Sequence, residues 1–282
     1  SSYAELYVAA SYEFVREWRE FERTSTTVLH AYLSPNCRKY LQQINYDLRQ
    51  QGYEHRILVT RSDGGLMSSG IAAHAPAAML MSGPAAGVQG AANIGRVCGL
   101  SNLITMDIGG TSCDVSLIKN GEPIITHEKY VEGYPILGAF VDVHSIGAGG
   151  GTIAWCDDAG KLKVGPQSAG ADPGPACYGL GGDQPTVTDA YVVLGFLDPD
   201  LFLGGEIKLQ TEKAWSMTQT LAEKVGLSTE QCALGILSIL NAQMVGALRV
   251  VSIEKGHDPR DFALFAFGGA GGMHVAALAD EM

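Results

Sequence analysis

The amino-acid sequence predicts an α/β fold in which a mixed sheet with an antiparallel meander is flanked by helices. The apolar pattern changes from a helical period to alternation at Leu103, and helical periodicity returns over residues 211–256. In addition, glycine-rich turns follow segments of strand character at 109–110, 147–151 and 268–272. Together these observations predict strands that present flexible turns, with helices on either side.

The first part of the chain is expected to connect a preceding lobe to the lobe that makes up most of this sequence. Residues 1–30 are predicted to be a lead-in from a missing N-terminal lobe, with a loop at 23–27, and residues 31–282 to be one lobe truncated at its C-terminus. Ser34 and Pro35 suit an N-cap and the first helical position. A helix is therefore predicted from there to Gly52.

The remaining elements follow from local patterns. A strand is predicted at 56–60, with a turn at 63–65, and a helix of small residues opens at Ser82. The meander strands are predicted at 103–108, 113–118 and 123–130, with a type I′ turn at Asn120-Gly121 between the last two. After them the sequence predicts a Gly-rich insertion at about 131–205, a buried helix at 229–255 and a strand at 262–267.

Composition limits the classes of protein. The 282 residues include 30 acidic and 19 basic side chains, a net charge of −11, which argues against a nucleic-acid or anionic-membrane partner. Gly, Asn, Arg or Asp interrupts every apolar stretch that approaches the length of a membrane span. The six cysteines show no CxxC or zinc-finger spacing. Reduced thiols in a cytoplasmic protein are expected.

The turn Asp107-Ile108-Gly109-Gly110-Thr111 carries the sharpest chemical signal. Glycines allow the backbone to approach a ligand and to direct consecutive N–H groups at a phosphate. The carboxylate of Asp107 could hold Mg²⁺ directly or through water, and the Thr111 hydroxyl could donate to a phosphate oxygen. An ordinary glycine hairpin with a surface Asp remains the alternative.

The two other glycine turns do not match the usual dinucleotide or P-loop motifs. A Rossmann loop opens a helix that carries the pyrophosphate, but the residues after Gly151 alternate as a strand and turn at 157–160 into a second strand. No GxxxxGK[ST] sequence occurs in the chain. The sequence therefore predicts nucleotide binding by hairpins.

Several other polar residues are candidates for chemistry. Asp142 and His144 are two apart on a predicted strand, so they share a face and could act as acid and base or ligate a metal. Asp189 is a further candidate metal ligand. Weaker candidates are Asp172 before a proline, His274 beside the last glycine turn, and Cys177, which we expect to be structural because no nearby histidine would activate it.

These residues carry a family resemblance. The DIGGTSCDVS hairpin and the preceding GPAAG helix resemble the second phosphate loop and connecting helix of the actin, sugar-kinase and heat-shock-chaperone ATPase superfamily, and FAFGGAGG resembles its adenosine loop. More closely, the chain is similar to the A component of the hydantoinase/oxoprolinase family. Matching segments across nearly the full length include FERTSTTVLHAYLSP, SDGGLMSS, MLMSGPAAGVQGA, DVHSIGAGGGTIAW and VGPQSAGADPGPACYGLGG.

The resemblance implies a fold and an activity. The fold would be the second, ribonuclease-H-like lobe of that superfamily, without the first phosphate hairpin. The activity would be ATP-dependent opening of cyclic amides such as 5-oxoproline or hydantoins, with Mg²⁺ or another divalent metal, and the fragment alone would be incomplete. A hydantoinase B-type component is the implied partner, and an oligomer is expected.

Residue roles follow from the same resemblance. Phosphate contacts would come from Gly109, Gly110, Thr111 and Ser112, and adenosine contacts from Gly268, Gly269, Ala270 and Gly271. Asp107 would hold the metal or the attacking water. Cys113 and Gly272-Met273 depart from the usual family residues without removing a charged group. Two alternatives stay open: a subunit of an acetone- or acetophenone-type carboxylase acting on a ketone, and a non-catalytic nucleotide-binding module.

Overall fold

The computed structural model describes residues 7–282 and divides the chain into two compact units. Unit 1 contains the chain up to Ser101 together with 118–143, and unit 2 contains 102–117 and 144–282. The first six residues of the predicted lead-in lie outside the described residues. The rest of the lead-in includes helical chain, and one helix runs through residue 30. The proposed origin of this segment in a longer protein stays a prediction.

The helices and strands are these. The helices are α1 (Ser11–Phe14), α2 (Glu20–Gln50), α3 (Ser69–His74), α4 (Ser82–Val97), α5 (Val187–Val193), α6 (Thr211–Val225), α7 (Thr229–Val251) and α8 (Gly271–Asp280). The strands are β1 (Leu58–Thr60), β2 (Leu66–Ser68), β3 (Leu103–Ile108), β4 (Cys113–Lys119), β5 (Glu122–Pro123), β6 (Ile125–Val131), β7 (Tyr134–Val141), β8 (Val143–Ile146), β9 (Thr152–Cys156), β10 (Leu162–Ser168) and β11 (Ala263–Phe267).

Helix α2 of unit 1 corrects two predictions. It begins at Glu20, so 23–27 is helical rather than a loop, and Pro35 lies inside it instead of at its start. The hydroxyls of Thr24, Thr26 and Thr27 each donate to the carbonyl four residues earlier, so these side chains find their hydrogen-bond partners within the helix. The buried face of α2 packs on β7 and α3, and this tertiary contact outweighs the local signals.

The strands of unit 1 confirm a strand and its turn and correct the meander. The strand predicted at 56–60 forms over 58–60 as β1, and after the predicted turn it pairs antiparallel with β2, which the sequence analysis did not predict. The Asn120-Gly121 turn has φ of 55° and 81°, as a type I′ turn requires. The third meander strand, however, is only the two-residue β5. The chain then enters a separate antiparallel pair, β6 and β7, so the predicted 123–130 strand is split.

Unit 2 contains the mixed sheet that the sequence predicts. Strand β11 pairs in parallel with β3, β4 lies on the other side of β3, and β8 pairs with β4. The last two residues of β4, Ile118 and Lys119, belong to unit 1 and pair antiparallel with β5 there. Strands β9 and β10 form the predicted antiparallel hairpin after the second glycine turn. The predicted Gly-rich insertion at about 131–205 contains strands β7 to β10 and helix α5.

The helices of unit 2 pack on one another and on these strands. Capping boxes at Thr186 and Ser228 start α5 and α7, with side chains that bond the backbone of the first helical turn. Residues 229–255 are long and apolar enough to cross a membrane by length and composition, with a mean hydropathy of 1.6. Because α7 packs against α5, α6, α8 and β10, this segment is the core helix of the unit.

Candidate functional site

Glycine-rich turns from distant parts of the sequence meet in unit 2. The N–H groups of Gly150 and Gly151 donate to the carbonyls of Gly109 and Gly110 at 3.0 and 2.6 Å. The N–H of Ala270 donates to the carbonyl of Ile108 at 2.9 Å. The turn after β3 is thus held between the other two, which fixes the backbone that the sequence predicts to bind phosphate.

Some of these glycines are required by the packing of the turns. A Cβ on Gly149 would lie 2.7 Å from the Gly109 carbonyl oxygen, and one on Gly150 would lie 2.8 Å from the Thr188 hydroxyl. Gly268 has a φ of +81°, and its Cβ would lie 2.5 Å from Oδ1 of Asp107. Larger side chains at these positions would push the turns apart.

Other glycines of the site have no such structural reason. A Cβ on Gly109, Gly110 or Gly269 would meet no atom within 4 Å, and none of these residues has a positive φ that excludes L side chains. Among residues 7–282, no acceptor pairs with the N–H groups of Gly110 or Thr111. The open space and the free donors fit an anionic ligand that approaches the backbone closely.

Asp107 stands at the end of β3, beside this open face. Partial burial, and secondarily the nearby carboxylate of Asp114, raises the pKa of Asp107. Burial also raises the pKa of the adjacent Cys113 thiol to about 12, so that thiol is inert at neutral pH. A carboxylate with few local cations around it is suited to a divalent cation, whose charge would favour its ionised form.

A cavity of about 260 Å³ opens against the glycine turns. One side is backbone, from Gly109, Gly110, Gly150 and Gly269. The rest of the lining is largely apolar and aromatic, from Tyr178, Tyr191, Leu197, Phe202, Leu203 and Met273. A site with polar backbone at one end and an aromatic wall suits a ligand with an anionic part and a flat ring.

A buried hydrogen-bond network supports the aromatic wall. The Tyr191 hydroxyl is hydrogen-bonded to Nε2 of His274, and Nδ1 of His274 lies 2.6 Å from Oδ1 of Asn241. Burial lowers the pKa of His274 to about 4, so the ring is neutral. Because the Asn241 oxygen accepts from Nδ1–H, Nε2 accepts from the tyrosine. His274 therefore positions Tyr191 from behind the cavity wall.

Asp189, predicted as a metal ligand, has a structural role. It is fully buried at the start of α5. Its oxygens accept hydrogen bonds from the N–H groups of Ala176, Cys177 and Thr186 and from the Thr186 hydroxyl. These four donors satisfy the carboxylate. The structure thus gives these oxygens local hydrogen-bond partners, and the metal-binding role of Asp189 stays a prediction.

The other polar candidates are not gathered into a metal centre. Within residues 7–282, no group of three His, Cys, Asp or Glu side chains is placed to hold a metal ion. Asp142 is the single residue between β7 and β8 rather than part of a strand, and His144 is half-buried in β8. Asp172 is an exposed loop residue. Cys177 is fully buried, and burial raises the pKa of its thiol.

The sequence analysis missed the aromatic wall of the cavity. Tyr178 and Phe202 lie in short 3₁₀ segments and Tyr191 lies in α5, at positions with no motif of their own. Only the tertiary fold brings them to the cavity that the glycine turns line. Asp114 was also missed, although it follows Asp107 across the hairpin and influences its ionisation.

Comparison with known proteins adds the family. A family model described as hydantoinase/oxoprolinase matches residues 23–282. Caprolactamase subunit alpha of Pseudomonas jessenii is 42% identical over 99% of this chain and 40% of its own length. The 5-oxoprolinase of Saccharomyces cerevisiae is 36% identical over 92% of this chain and 21% of its own length.

A solved structure gives the same result for the fold. Nucleotide-free acetone carboxylase superposes with a TM-score of 0.86 at 34% identity, over 96% of this chain and 38% of that one. The chain therefore spans less than half the length of the relatives it matches.

Proposed function

Because the chain belongs to the hydantoinase/oxoprolinase family, we propose that it is the nucleotide-binding lobe of an enzyme that uses ATP to open cyclic amides such as 5-oxoproline or hydantoins. The observation that carries the proposal is the open backbone face at Gly109, Gly110 and Gly269, which the fold itself does not require to be glycine. Similarity to a caprolactamase and a 5-oxoprolinase supports the substrate class.

The phosphate end of the nucleotide is assigned to the turn after β3. In this proposal the N–H groups of Gly110 and Thr111 donate to phosphate oxygens, and the hydroxyls of Thr111 and Ser112 lie within the same turn. Asp107 would hold Mg²⁺, which supplies counter-charge for phosphoryl transfer. Burial raises the pKa of Asp107, and a bound cation would favour its ionised form.

The adenosine end is assigned to the turn after β11 and to the aromatic wall. Gly268, Gly269, Ala270 and Gly271 would lie against the nucleoside, and the rings of Tyr178 and Tyr191 would flank the base. This assignment is part of our proposal that the lobe is a member of the actin, sugar-kinase and heat-shock-chaperone ATPase superfamily. The mixed sheet with a glycine hairpin after β3 supports that assignment.

The chemistry of amide opening gives this lobe a defined task. An unstrained amide carbonyl is a poor electrophile, and phosphorylation of its oxygen supplies a leaving group. The residues of the lobe bind the phosphates, neutralise charge and exclude water from the transfer. A B-type component would complete the hydrolysis, and names such as caprolactamase subunit alpha support an assembly of several components. We place the protein in the cytoplasm, where its six free thiols would stay reduced.

A ketone carboxylase subunit is the second candidate. The structural likeness to acetone carboxylase supports this candidate. The fold does not separate the two activities, because both would use the same nucleotide-binding lobe. The alternative of a module that binds nucleotide without chemistry predicts binding but no stimulated turnover.

One assay separates the candidates. The full-length protein is combined with its partner component, and ATP hydrolysis is measured with 5-oxoproline, hydantoin, caprolactam, or acetone with bicarbonate. We expect stimulation by a cyclic amide. Stimulation by acetone with bicarbonate alone would assign the protein to the carboxylases, and nucleotide binding without stimulation would support the binding module.

A further inference from the structure

The loop at 199–209 supplies part of the lining of the cavity beside the glycine turns of unit 2. The N–H of Leu209 donates to the carbonyl of Pro199 at 2.9 Å, which closes the base of the loop. Phe202 and Leu203, near its middle, line the cavity. The short 3₁₀ segment that contains them is therefore held at a fixed place beside the space for a ligand.

The backbone of this segment is left-handed at three successive residues. Leu203 has a φ of 50° and a ψ of 41°, and Gly204 and Gly205 follow with φ of 70° and 89°. Glycine adopts this conformation readily because it has no Cβ, whereas the Cβ of a leucine crowds the following carbonyl oxygen. The leucine therefore stands where glycine or asparagine would suit the backbone better.

Packing within the chain does not account for the strained leucine. The Leu203 side chain is 60% exposed, so burial in the core does little to offset the unfavourable backbone. Phe202 beside it is half-buried, with its ring centroid 5.4 Å from that of Tyr178 in the same cavity. Residues held in sparsely populated backbone conformations cluster at active sites and ligand clamps. A flat apolar ligand in the cavity would complete the packing of both side chains.

The hydroxyl groups that line the cavity offer little to distinguish one base from another. The Tyr191 hydroxyl is hydrogen-bonded to His274, and that of Thr188 donates to the carbonyl of Gly150 at 2.8 Å. The hydroxyl of Tyr178, beside that of Thr188, can accept from an amino group or donate to a carbonyl. Adenine carries an amino group where guanine carries a carbonyl, so these side chains suit both bases.

We propose that Phe202 and Leu203 clamp the flat ring of the nucleoside, and that this clamp selects the ring by its area rather than by its edge. The free energy gained when an apolar face is buried rises with the area, so a purine gains more than a pyrimidine. The site then takes any purine nucleoside triphosphate, with Leu203 as the specificity-determining residue. The inference rests on the proposed function and extends it, since that function gives this loop no role and the base no selectivity.

The test measures binding to the full-length protein by calorimetry in the presence of Mg²⁺. ATP, GTP and CTP probe the whole site, inorganic tripolyphosphate probes the phosphate turn alone, and adenosine probes the clamp alone. Leu203→Ala removes the side chain and keeps the strained backbone, while Leu203→Gly removes the side chain and relieves the backbone. Leu201→Ala is the matched control, because Leu201 is an exposed leucine of the same loop that does not line the cavity.

We expect wild type to bind GTP within about threefold of ATP, and CTP about tenfold more weakly. Both Leu203 variants should bind ATP and GTP about tenfold more weakly than wild type and tripolyphosphate equally well, so their preference for a purine over CTP becomes smaller. Leu201→Ala should bind every probe like wild type. Folded Leu203 variants with wild-type affinity for ATP, or a wild-type protein that binds ATP more than about tenfold tighter than GTP, would overturn the inference.

The clamp and the phosphate turn fail in different ways. A wild-type protein that binds tripolyphosphate, and binds ATP no more tightly, would overturn the clamp and leave the phosphate assignment intact. A wild-type protein that binds adenosine in a manner sensitive to Leu203, but binds no tripolyphosphate, would support the clamp and overturn the phosphate assignment.

Discussion

At the scale of single residues, the glycines of unit 2 fall into two groups with different causes. Gly149 and Gly268 are glycine because the turns touch there, whereas Gly109 and Gly269 face open space. The sequence shows only that all of them are glycine. The structure separates the residues that build the site from those that leave room for a ligand.

Replacement of a packing glycine should lower stability. In Gly149→Ala the new Cβ would lie 2.7 Å from the backbone of the Gly109 turn, so the turn must shift, at a cost of about 1–3 kcal/mol. Gly90→Ala in α4 is the matched control, because a Cβ there meets no atom within 4 Å and alanine favours helix. Urea unfolding of both variants checks this; equal midpoints would contradict the packing argument.

Replacement of Asp107 by asparagine should raise the stability of the protein and lower its activity. Its folded pKa is raised by burial and by Asp114, so the folded state holds the proton more tightly than the unfolded chain. Stability is then greatest below the ordinary aspartate pKa and is lost as pH rises through the folded value. Asp107→Asn removes this cost, so its melting temperature should exceed that of wild type at neutral pH.

The same variant should lose about a hundredfold or more in ATP turnover, because the amide cannot hold the cation. The melting curves should converge as pH falls below the ordinary aspartate pKa of about 4, because the carboxyl is then protonated in both the folded and the unfolded state. A stability difference that does not vary with pH, or unchanged turnover, would refute the role assigned to Asp107.

At the scale of elements, the network of Tyr191, His274 and Asn241 joins α5, α8 and α7 behind the cavity. These three helices come from separate parts of the sequence. The network fixes the ring of Tyr191 against the glycine turns, so its loss should affect both the unit's stability and the nucleotide site.

Tyr191→Phe keeps the ring and removes the hydroxyl, which leaves Nε2 of buried His274 without a donor. We expect a loss of about 1–3 kcal/mol in the free energy of unfolding, together with a rise in the KM for ATP. Tyr46→Phe, at an exposed position of α2, is the control and should change neither value. A Tyr191→Phe protein as stable as wild type would show that the network contributes nothing.

Some elements could be predicted from the sequence and others could not, for physical reasons. The strand–glycine–strand pattern at 103–118 and the alternation after Gly151 are local, and both hairpins formed as predicted. Pro35 misled the prediction because the packing of α2 on β7 outweighs the loss of one backbone hydrogen bond. The third meander strand was misplaced because nothing local marks where β5 ends and β6 begins.

The candidate site divides in the same way. Asp107 and the glycine turns carry sequence signals because backbone geometry demands particular residue types. The aromatic wall carries none, since tyrosine and phenylalanine are common in any core. The sequence could not show that Asp189 is buried and accepts hydrogen bonds from backbone N–H groups, because those partners come from the 3₁₀ segment at 176–178 as well as from its own helix.

At the scale of the whole molecule, each unit contains a buried neutral histidine, His30 in unit 1 and His274 in unit 2. Burial lowers the pKa of both to about 4. The unfolded chain therefore binds more protons than the folded one between that value and about 6.5. Stability should be fully present above about pH 6.5 and should fall as pH falls toward 4.

Urea unfolding followed by circular dichroism at a series of pH values measures this dependence. The His274→Gln variant, which cannot titrate at this position, should show a shallower loss between about pH 6.5 and 4. His55→Gln, at an exposed site, should keep the wild-type slope. A slope that is the same in all three proteins would rule out His274 as a source of acid lability.

The central claim is that the open glycine face of unit 2 binds the phosphates of ATP. Calorimetric titration of the full-length protein with ATP and Mg²⁺ tests it most directly, using wild type, Gly109→Ala and the Gly90→Ala control. A Cβ on Gly109 meets no protein atom, so Gly109→Ala should fold normally but lose ATP affinity at least tenfold, while Gly90→Ala binds like wild type. A folded Gly109→Ala protein with wild-type affinity for ATP would contradict the claim.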